Sequence, residues 1–296
     1  MMGCSGREAC RWLGFNRSTL RYEPKAVAEK KLLLEQTIVE VSLKYPTEGY
    51  RKVWGQLRSL GYRINRKVVQ RVRREEGLQV PPPQPKVRRQ GLSTGLPQKA
   101  LHKNHVWAWD FVADYTQRGG KLRVLTLIDE YTRECHALHA DRSLTAADIL
   151  RVLEERIEQH GAPQFIRSDN GPEFIAKIIQ QWLKDNGIKT IYIEPGCPWQ
   201  NGYAESFNSR FRRECLDREV IYTLSEGRVV INDWRHYYNH VRPHRSLRLL
   251  PPSVYARSQT VQSIGSLRPT GSSHRRFELS NKLQDQPSEN ISSDLD

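Results

Sequence analysis

The sequence predicts an α/β fold: a mixed five-stranded sheet with flanking helices, preceded by a small all-α domain. Three observations carry this expectation. Residues 30–78 keep a helical period of apolar side chains. A stretch rich in proline, glycine and basic residues, VPPPQPKVRRQGLSTGLPQ, then breaks all periodicity. Beyond it, strand-like and helical segments alternate in the order β-β-β-α-β-α-β-α, which implies a mixed sheet with helices on its faces.

Residues 1–29 read as a short helical segment. SGREACRWLGFNRSTLRY suits two short helices joined by a turn at Gly14. Residues 30–78 read as a helix-turn-helix domain, with Ile38 and Val41 on one face and Val53, Trp54, Leu57 and Leu60 on another. Its third helix follows Asn65, a good N-cap, and stops at Gly77. Val68, Val69 and Val72 form the buried stripe, leaving Arg66, Lys67, Arg71, Arg73 and Arg74 to project outward. Between residues 51 and 90 there are 12 Lys or Arg against two Glu, so this face suits DNA phosphates better than bare solvation. Residues 79–104 then read as an extended basic linker that could itself lie along DNA.

Residues 105–257 carry the α/β core. VWAWDFVADYT is a strand, Arg118-Gly119-Gly120 a tight turn, and LRVLTLID its antiparallel return, with a third strand near CHALHA. Thr145 caps a helix with Asp148 three residues on; Ile149, Leu150, Leu153 and Ile157 form its core face and Gly161 follows its end. QFIRSD is a strand. Pro172 falls in the first turn of the next helix, with Phe174, Ile178, Ile179, Trp182 and Leu183 along one side and Gly187 as its stop. KTIYIE is the fifth strand. Residues 258–296 are Ser-rich and polar, and a disordered tail is expected.

Composition narrows the partners. A net charge of +14 points to a polyanion, nucleic acid first, over a merely solvated positive surface. The five cysteines are odd in number, scattered and without a CxxC pair, which fits a reducing cytosol. No signal peptide and no apolar run of membrane-spanning length is present, so a cytoplasmic protein is expected, with the nucleoid as its place when bound.

The chemistry centres on FIRSDNGPEF. Asp169 ends a strand, where mixed α/β sheets place their sites. It is either a turn residue or one ligand of a metal that needs further oxygen donors. Asp110, amid the bulky residues of WAWDFV, is costly there unless paired or metal-bound. Glu205 sits in the first turn of what reads as the last long helix, with 35 residues between it and Asp169, room for one helix, one strand and one loop. The intervening helix and strand return the chain beside the first strand, so the three acids can converge. Together they could hold two metal ions for in-line phosphoryl displacement. Asp114 shares a strand face with Asp110 but lies roughly 13 Å along it. Asp129 is read as a structural partner of Arg133, and Glu173 as a helix N-terminal charge. Arg212, seven residues after Glu205, shares its helix face and could grip phosphate or be an ordinary surface arginine.

WAWDFVADYT, IRSDNGPEF and GCPWQNGYAESFNSRFRRECLD, followed by YYNHVRPHRSL, resemble bacterial insertion-sequence transposases of the OrfB type, in the insertion-sequence-three family. Their core belongs to the retroviral-integrase superfamily and has an RNase H-like fold. The resemblance covers roughly residues 30–256, and IVEVSLKYPTEGYRKVWGQLRSLGYRINRKVVQRVRREEGL looks like the helix-turn-helix domain that precedes that core. It implies that Asp110, Asp169 and Glu205 are the metal-binding acids and that Arg212 is the basic position after the glutamate. It implies Mg²⁺- or Mn²⁺-dependent cleavage, with two ions once DNA is bound, freeing a 3′-hydroxyl that attacks a second phosphodiester. Water is then the first nucleophile and DNA the second, with no covalent protein–DNA intermediate. The implied partners are double-stranded DNA (terminal repeats and target), further copies of the chain on that DNA, and a small upstream DNA-binding protein of the same element. The chain departs from retroviral integrases in lacking their His-His-Cys-Cys module: His102/His105 and His136/His139 have no CxxC beside them, so no structural zinc is expected. His244 is read as packing or touching DNA. Two other functions compete: a non-catalytic protein occupying element ends, and a nuclease that only hydrolyses, which has no need of the basic N-terminal helices.

Overall fold

The computed structural model describes residues 5–22, 29–81, 99–169, 171, 173–194 and 198–265. Most of the linker expected over 79–104 and the tail beyond 265 lie outside the described residues. Helix α1 (Gly6–Leu13) opens with a Ser5/Glu8 capping box and ends at Gly14, whose φ of 69° is the left-handed conformation a glycine adopts without strain. α2 (Arg17–Leu20) follows. Then α3 (Glu29–Lys44), α4 (Tyr50–Ser59) and α5 (Arg66–Glu75) pack around Ile38, Val53, Leu57, Val69 and Val72. Leu60, expected in that core, is exposed because α4 ends just before it.

The sheet contains β1 (Val106–Tyr115), β2 (Lys121–Asp129), β3 (Cys135–Asp141), β4 (Phe165–Ser168) and β5 (Lys189–Tyr192) in the order β3-β2-β1-β4-β5. The first three pair antiparallel, and β4 and β5 run parallel to β1, giving an RNase H-like mixed sheet. Alternation along β1 separates two cores. Trp107 and Trp109 pack under α6 (Ala146–His160) and α7 (Lys177–Asp185). Ala108 and Val112 face the opposite way, toward α8 (Gly202–Phe211) and α9 (Leu224–His240), where Phe207, Phe211, Ile231 and Trp234 meet them. α10 (Pro252–Gly265) closes the described chain.

Three expectations need correction. α7 starts at Lys177, not near Pro172, because Phe174 is drawn out ahead of it to stack on Trp109 and Phe111, with ring centroids 4.5 and 4.9 Å away. Ile178 accordingly faces solvent. α8 is not the last long helix: α9 adds 17 residues behind it. The helix α10 also runs through the start of the expected tail, anchored where Ser253 Oγ donates to the Asn239 carbonyl at 2.8 Å.

The N-terminal helices are seated on the core through buried charge. Tyr45 stacks on Tyr237 at 4.8 Å, and Tyr237 Oη donates to Glu48 at 2.6 Å. Arg242 grips Glu214 with two bonds of 2.6 and 2.7 Å, and Lys52 bridges Glu48 and Glu214 at 3.7 and 3.8 Å. α4 approaches so closely that a Cβ at Gly55 would stand 3.2 Å from Pro243. Among the described residues no helix is long and apolar enough to cross a membrane.

Candidate active site

Register brings the first two acids together. β1 and β4 pair in parallel from Val106 opposite Phe165 to Ala108 opposite Arg167, and each chain carries an acid two residues past the last pair, Asp110 on one and Asp169 on the other. Neighbouring strands are about 4.8 Å apart, so side chains in register on one face are neighbours. Asp110 faces α8, where Asn208 Nδ2 donates to its Oδ2 at 2.8 Å; the Phe111 amide donates to Oδ1 at 2.7 Å. Glu205 lies one turn before Asn208 on the same helix and is exposed. Asp169 is also exposed, its Oδ1 accepting the Gly171 amide at 3.1 Å.

The electrostatics report this convergence. Burial pushes the Asp110 carboxyl up to about 6, the Phe111 and Asn208 hydrogen bonds pull it down, and the charges of Asp169 and Glu205 push it up further. All three acids therefore act within one field. They stand in an open arrangement: among the described residues only Glu134, His136 and His160 bring three ligand atoms within 4.8 Å of one another. An all-oxygen donor set around a half-buried carboxylate matches the needs of a hard divalent cation such as Mg²⁺.

The other expected site residues are placed as follows. Arg212 Nη2 donates to the Ala113 carbonyl at 2.7 Å and Nη1 lies 3.7 Å from Asp114. It is therefore held at the far end of β1, because two helical turns carry it about 10 Å along the axis from Glu205. Arg66, Lys67 and Arg74 are exposed on α5. Arg71 is exposed but already paired with Glu35 at 2.7 Å and Glu75 at 2.9 Å. Arg73 does not project outward: it is 2 % exposed and its Nη2 donates to the carbonyls of Glu48 and Leu78 at 2.9 and 2.6 Å. It lies four residues after Val69, on the helix's buried face. His244 is buried with its ring edge-on to Tyr238.

Two roles differ from the sequence reading. Asp129 is structural, but through backbone amides, accepting from Asn104, Tyr131 and Thr132 at 2.7, 2.8 and 2.7 Å rather than pairing with Arg133. Glu173 precedes α7 and binds Arg123 at 2.6 Å. The sequence reading also missed a buried ion pair two residues from Asp169: Arg167 Nε donates to Glu130 at 2.7 Å, with both side chains fully buried. An arginine inside a four-residue strand signals it, by the same logic that singled out Asp110. The Glu134/His136/His160 cluster, equally unforeseen, sits beside cationic Lys103, Arg156 and Arg235. Burial and those charges hold His136 well below the usual imidazole range and His160 at about 4, and the same charges oppose a divalent ion.

Sheet order, acid placement and preceding basic helices together define an integrase-type core behind a helix-turn-helix unit. Models of the integrase core domain match residues 100–198 and 186–252, and a model of an HTH-like domain matches residues 28–86. The chain is 37% identical over 254 residues to a 31.7 kDa protein of insertion element IS407 from Burkholderia multivorans, spanning 85% of this chain and 90% of that one. It is 35% identical over 268 residues to a 39.2 kDa protein of insertion element IS476 from Xanthomonas euvesicatoria, spanning 90% and 76%. Similarity also extends to the transposase for insertion sequence element IS629 of Shigella sonnei, 25% identical over 232 residues, 74% of this chain and 76% of that one. The chain belongs to the insertion-element transposases with an integrase core, enzymes of the DDE type.

Proposed function

We propose that this transposase cuts the 3′ ends of its element and joins them to target DNA, with Asp110, Asp169 and Glu205 as its catalytic acids. The observation that carries this is the shared field on Asp110, whose carboxyl responds to both other acids from a half-buried seat. The three carboxylates would hold Mg²⁺ or Mn²⁺, two ions with DNA bound, which supply Lewis-acid stabilisation of the reacting phosphodiester. Asn208 is a positioning residue: its amide holds Asp110 Oδ2 and favours the carboxylate form. The Arg167–Glu130 pair secures the strand that ends at Asp169. Water attacks first and displaces the 3′-oxygen at the element end, and the 3′-hydroxyl so freed then attacks a target phosphodiester and displaces the 3′-oxygen of that strand.

Residues 30–78 serve as the DNA-reading domain, with Arg66, Lys67 and Arg74 of α5 on phosphates and Arg71 after release from its acidic partners; 79–104 is the linker, 105–257 the catalytic core. Arg212 contributes phosphate contact at the rim, beside Asp114. The partners are double-stranded DNA of the terminal repeats and target, other copies of the chain on that DNA, and a small upstream DNA-binding protein of the element.

The test uses labelled DNA bearing the element's terminal repeat, Mg²⁺, and wild type or Glu205→Gln protein. Nicked and joined products with wild type and neither with the variant are expected. Nicking without joining identifies a simple nuclease. Binding with no cutting, even after the upstream protein is added, identifies an end-occupying DNA-binding protein and refutes the proposal.

A further inference from the structure

Beside α8, on the flank away from Asp110, lies a cavity of about 360 Å³ lined by Arg133, Tyr203, Ser206, Arg210, His244 and Ser246 among others. We propose that it is a phosphate-binding subsite that takes a phosphodiester of the bound DNA strand, held by Arg133 and Arg210. This rests on the reading above that the chain acts on DNA.

The cavity's charge is unbalanced. Asp129 is satisfied by three amides and Glu130, the other acid whose charge reaches Arg133, is held by Arg167, so among the described residues Arg133 forms no ion pair; it adopts φ 64°, a left-handed conformation that is strained for a non-glycine residue. Its guanidinium lies 3.7 Å over the Tyr203 ring, and its Nη1 is buried without a hydrogen-bond partner. Arg210 Nη1 donates to the Ser206 carbonyl at 2.8 Å. Glu214, the carboxylate whose charge reaches Arg210 among the described residues, is already gripped by Arg242. Among the described residues no carboxylate lines the cavity. Burial, then the charges of Arg242, Arg210, Lys52 and Arg133, push His244 down to about 2, so its imidazole stays neutral in a positive field.

The chain is bent to present this lining. Arg248 and Leu249 both adopt left-handed backbone, with φ of 56° and 66°, and the Leu249 amide donates to the His244 carbonyl at 2.8 Å. That tight loop sets His244 and Ser246 across from α8. Ser206 follows Glu205 directly, so a phosphate seated here belongs to a strand crossing the helix that bears the third acid. Half-buried guanidinium forks beside hydroxyls suit a phosphodiester oxygen pair.

The test measures binding of terminal-repeat DNA by the full chain as salt is raised, for wild type, Arg133→Gln, Arg210→Gln and Arg133→Lys, each checked by thermal melting. Each Gln variant should flatten the slope of log K against log salt by about 0.9, the loss of one phosphate contact, and Arg133→Lys should keep it. Replacing single phosphates by neutral methylphosphonate should reveal one position that weakens wild type about tenfold and Arg133→Gln no further. Unchanged slopes, or no Arg133-dependent position, overturn the proposal. If inorganic phosphate at matched ionic strength raises the melting temperature of wild type but not of Arg133→Gln while the DNA slopes agree, the cavity takes a free anion and the DNA assignment is overturned. If wild type binds no DNA at any salt, the proposed function itself falls, and this subsite with it.

Discussion

Replacing Asp110 by Asn should stabilise the free protein at neutral pH while abolishing its chemistry. The buried carboxyl titrates at about 6 against an ordinary 3.8. Below pH 3.8 it is protonated in folded and unfolded chains alike and has no effect on stability. Between those values the unfolded chain loses the proton and the folded one keeps it, so stability falls as pH rises, and above 6 the full deficit persists. At 1.36 kcal/mol per pH unit that deficit is about 3 kcal/mol. Asn removes it. The substitution keeps an acceptor for the Phe111 amide, and a flip of Asn208 would offer its own buried, unpartnered Oδ1 to the new amide. Allowing about 1 kcal/mol for imperfect bonding, the variant should gain about 2 kcal/mol at pH 7, a rise of roughly 4–8 °C in melting temperature. At pH 4 the two proteins should melt nearly together. Adding Mg²⁺ at pH 7 should narrow the gap by stabilising wild type alone. Thermal melts at the two pH values decide it: a variant melting at or below wild type at pH 7, or a gain equally large at pH 4, refutes the reasoning.

Arg73→Ala should cost about 1–3 kcal/mol, since the Glu48 and Leu78 carbonyls lose their donor, yet leave the salt dependence of DNA binding untouched. Arg66→Gln and Arg74→Gln should do the reverse, each flattening the salt slope by about 0.9 with melting unchanged. Arg242→Ala takes both hydrogen bonds from buried Glu214, leaving it only the longer contacts to Lys52 and Arg213, and should cost about 3 kcal/mol in a urea titration. Thr145→Ala removes the cap of α6 and should cost about 1 kcal/mol by the same assay.

What could be read in advance follows from how local each determinant is. The strands announce themselves because β1 carries apolar side chains toward both faces, aromatic on one and small on the other, and the acids because a carboxylate amid Trp109 and Phe111 demands a reason. Arg73 was misread although periodicity contains the answer: four residues after Val69 is a buried position whatever the residue type. Arg212 shares a helix face with Glu205, but a shared face says nothing of reach. Phe174 was counted as helical because Pro172 suggested a helix start, whereas stacking on Trp109 and Phe111 depends on a sheet that no local pattern contains. Arg133 and Asp129 are four apart in sequence and of opposite charge, and only the turn's geometry reveals that three amides satisfy the acid instead. The cavity beyond Arg133 is assembled from β2, α8, α9 and the His244 loop, so it has no signature in any one segment.

The buried cluster of Glu48, Lys52, Glu214, Tyr237 and Arg242 has a consequence for how such elements diversify. A recognition module tethered only by a flexible tether could be traded between elements like a cassette. Here the tether is secondary, because the module's own acid and base complete a charge set whose other half belongs to the core. A transplanted module lacking Glu48 and Lys52 would leave Tyr237 and the Glu214–Arg242 pair without counterparts in a dry interface. One bearing a side chain in place of Gly55 would press its Cβ to 3.2 Å from Pro243, which would have to give by a few tenths of an ångström. If α5 reads DNA as proposed, a new DNA preference can be gained by changing its outward face while the seam behind it stays a matched set.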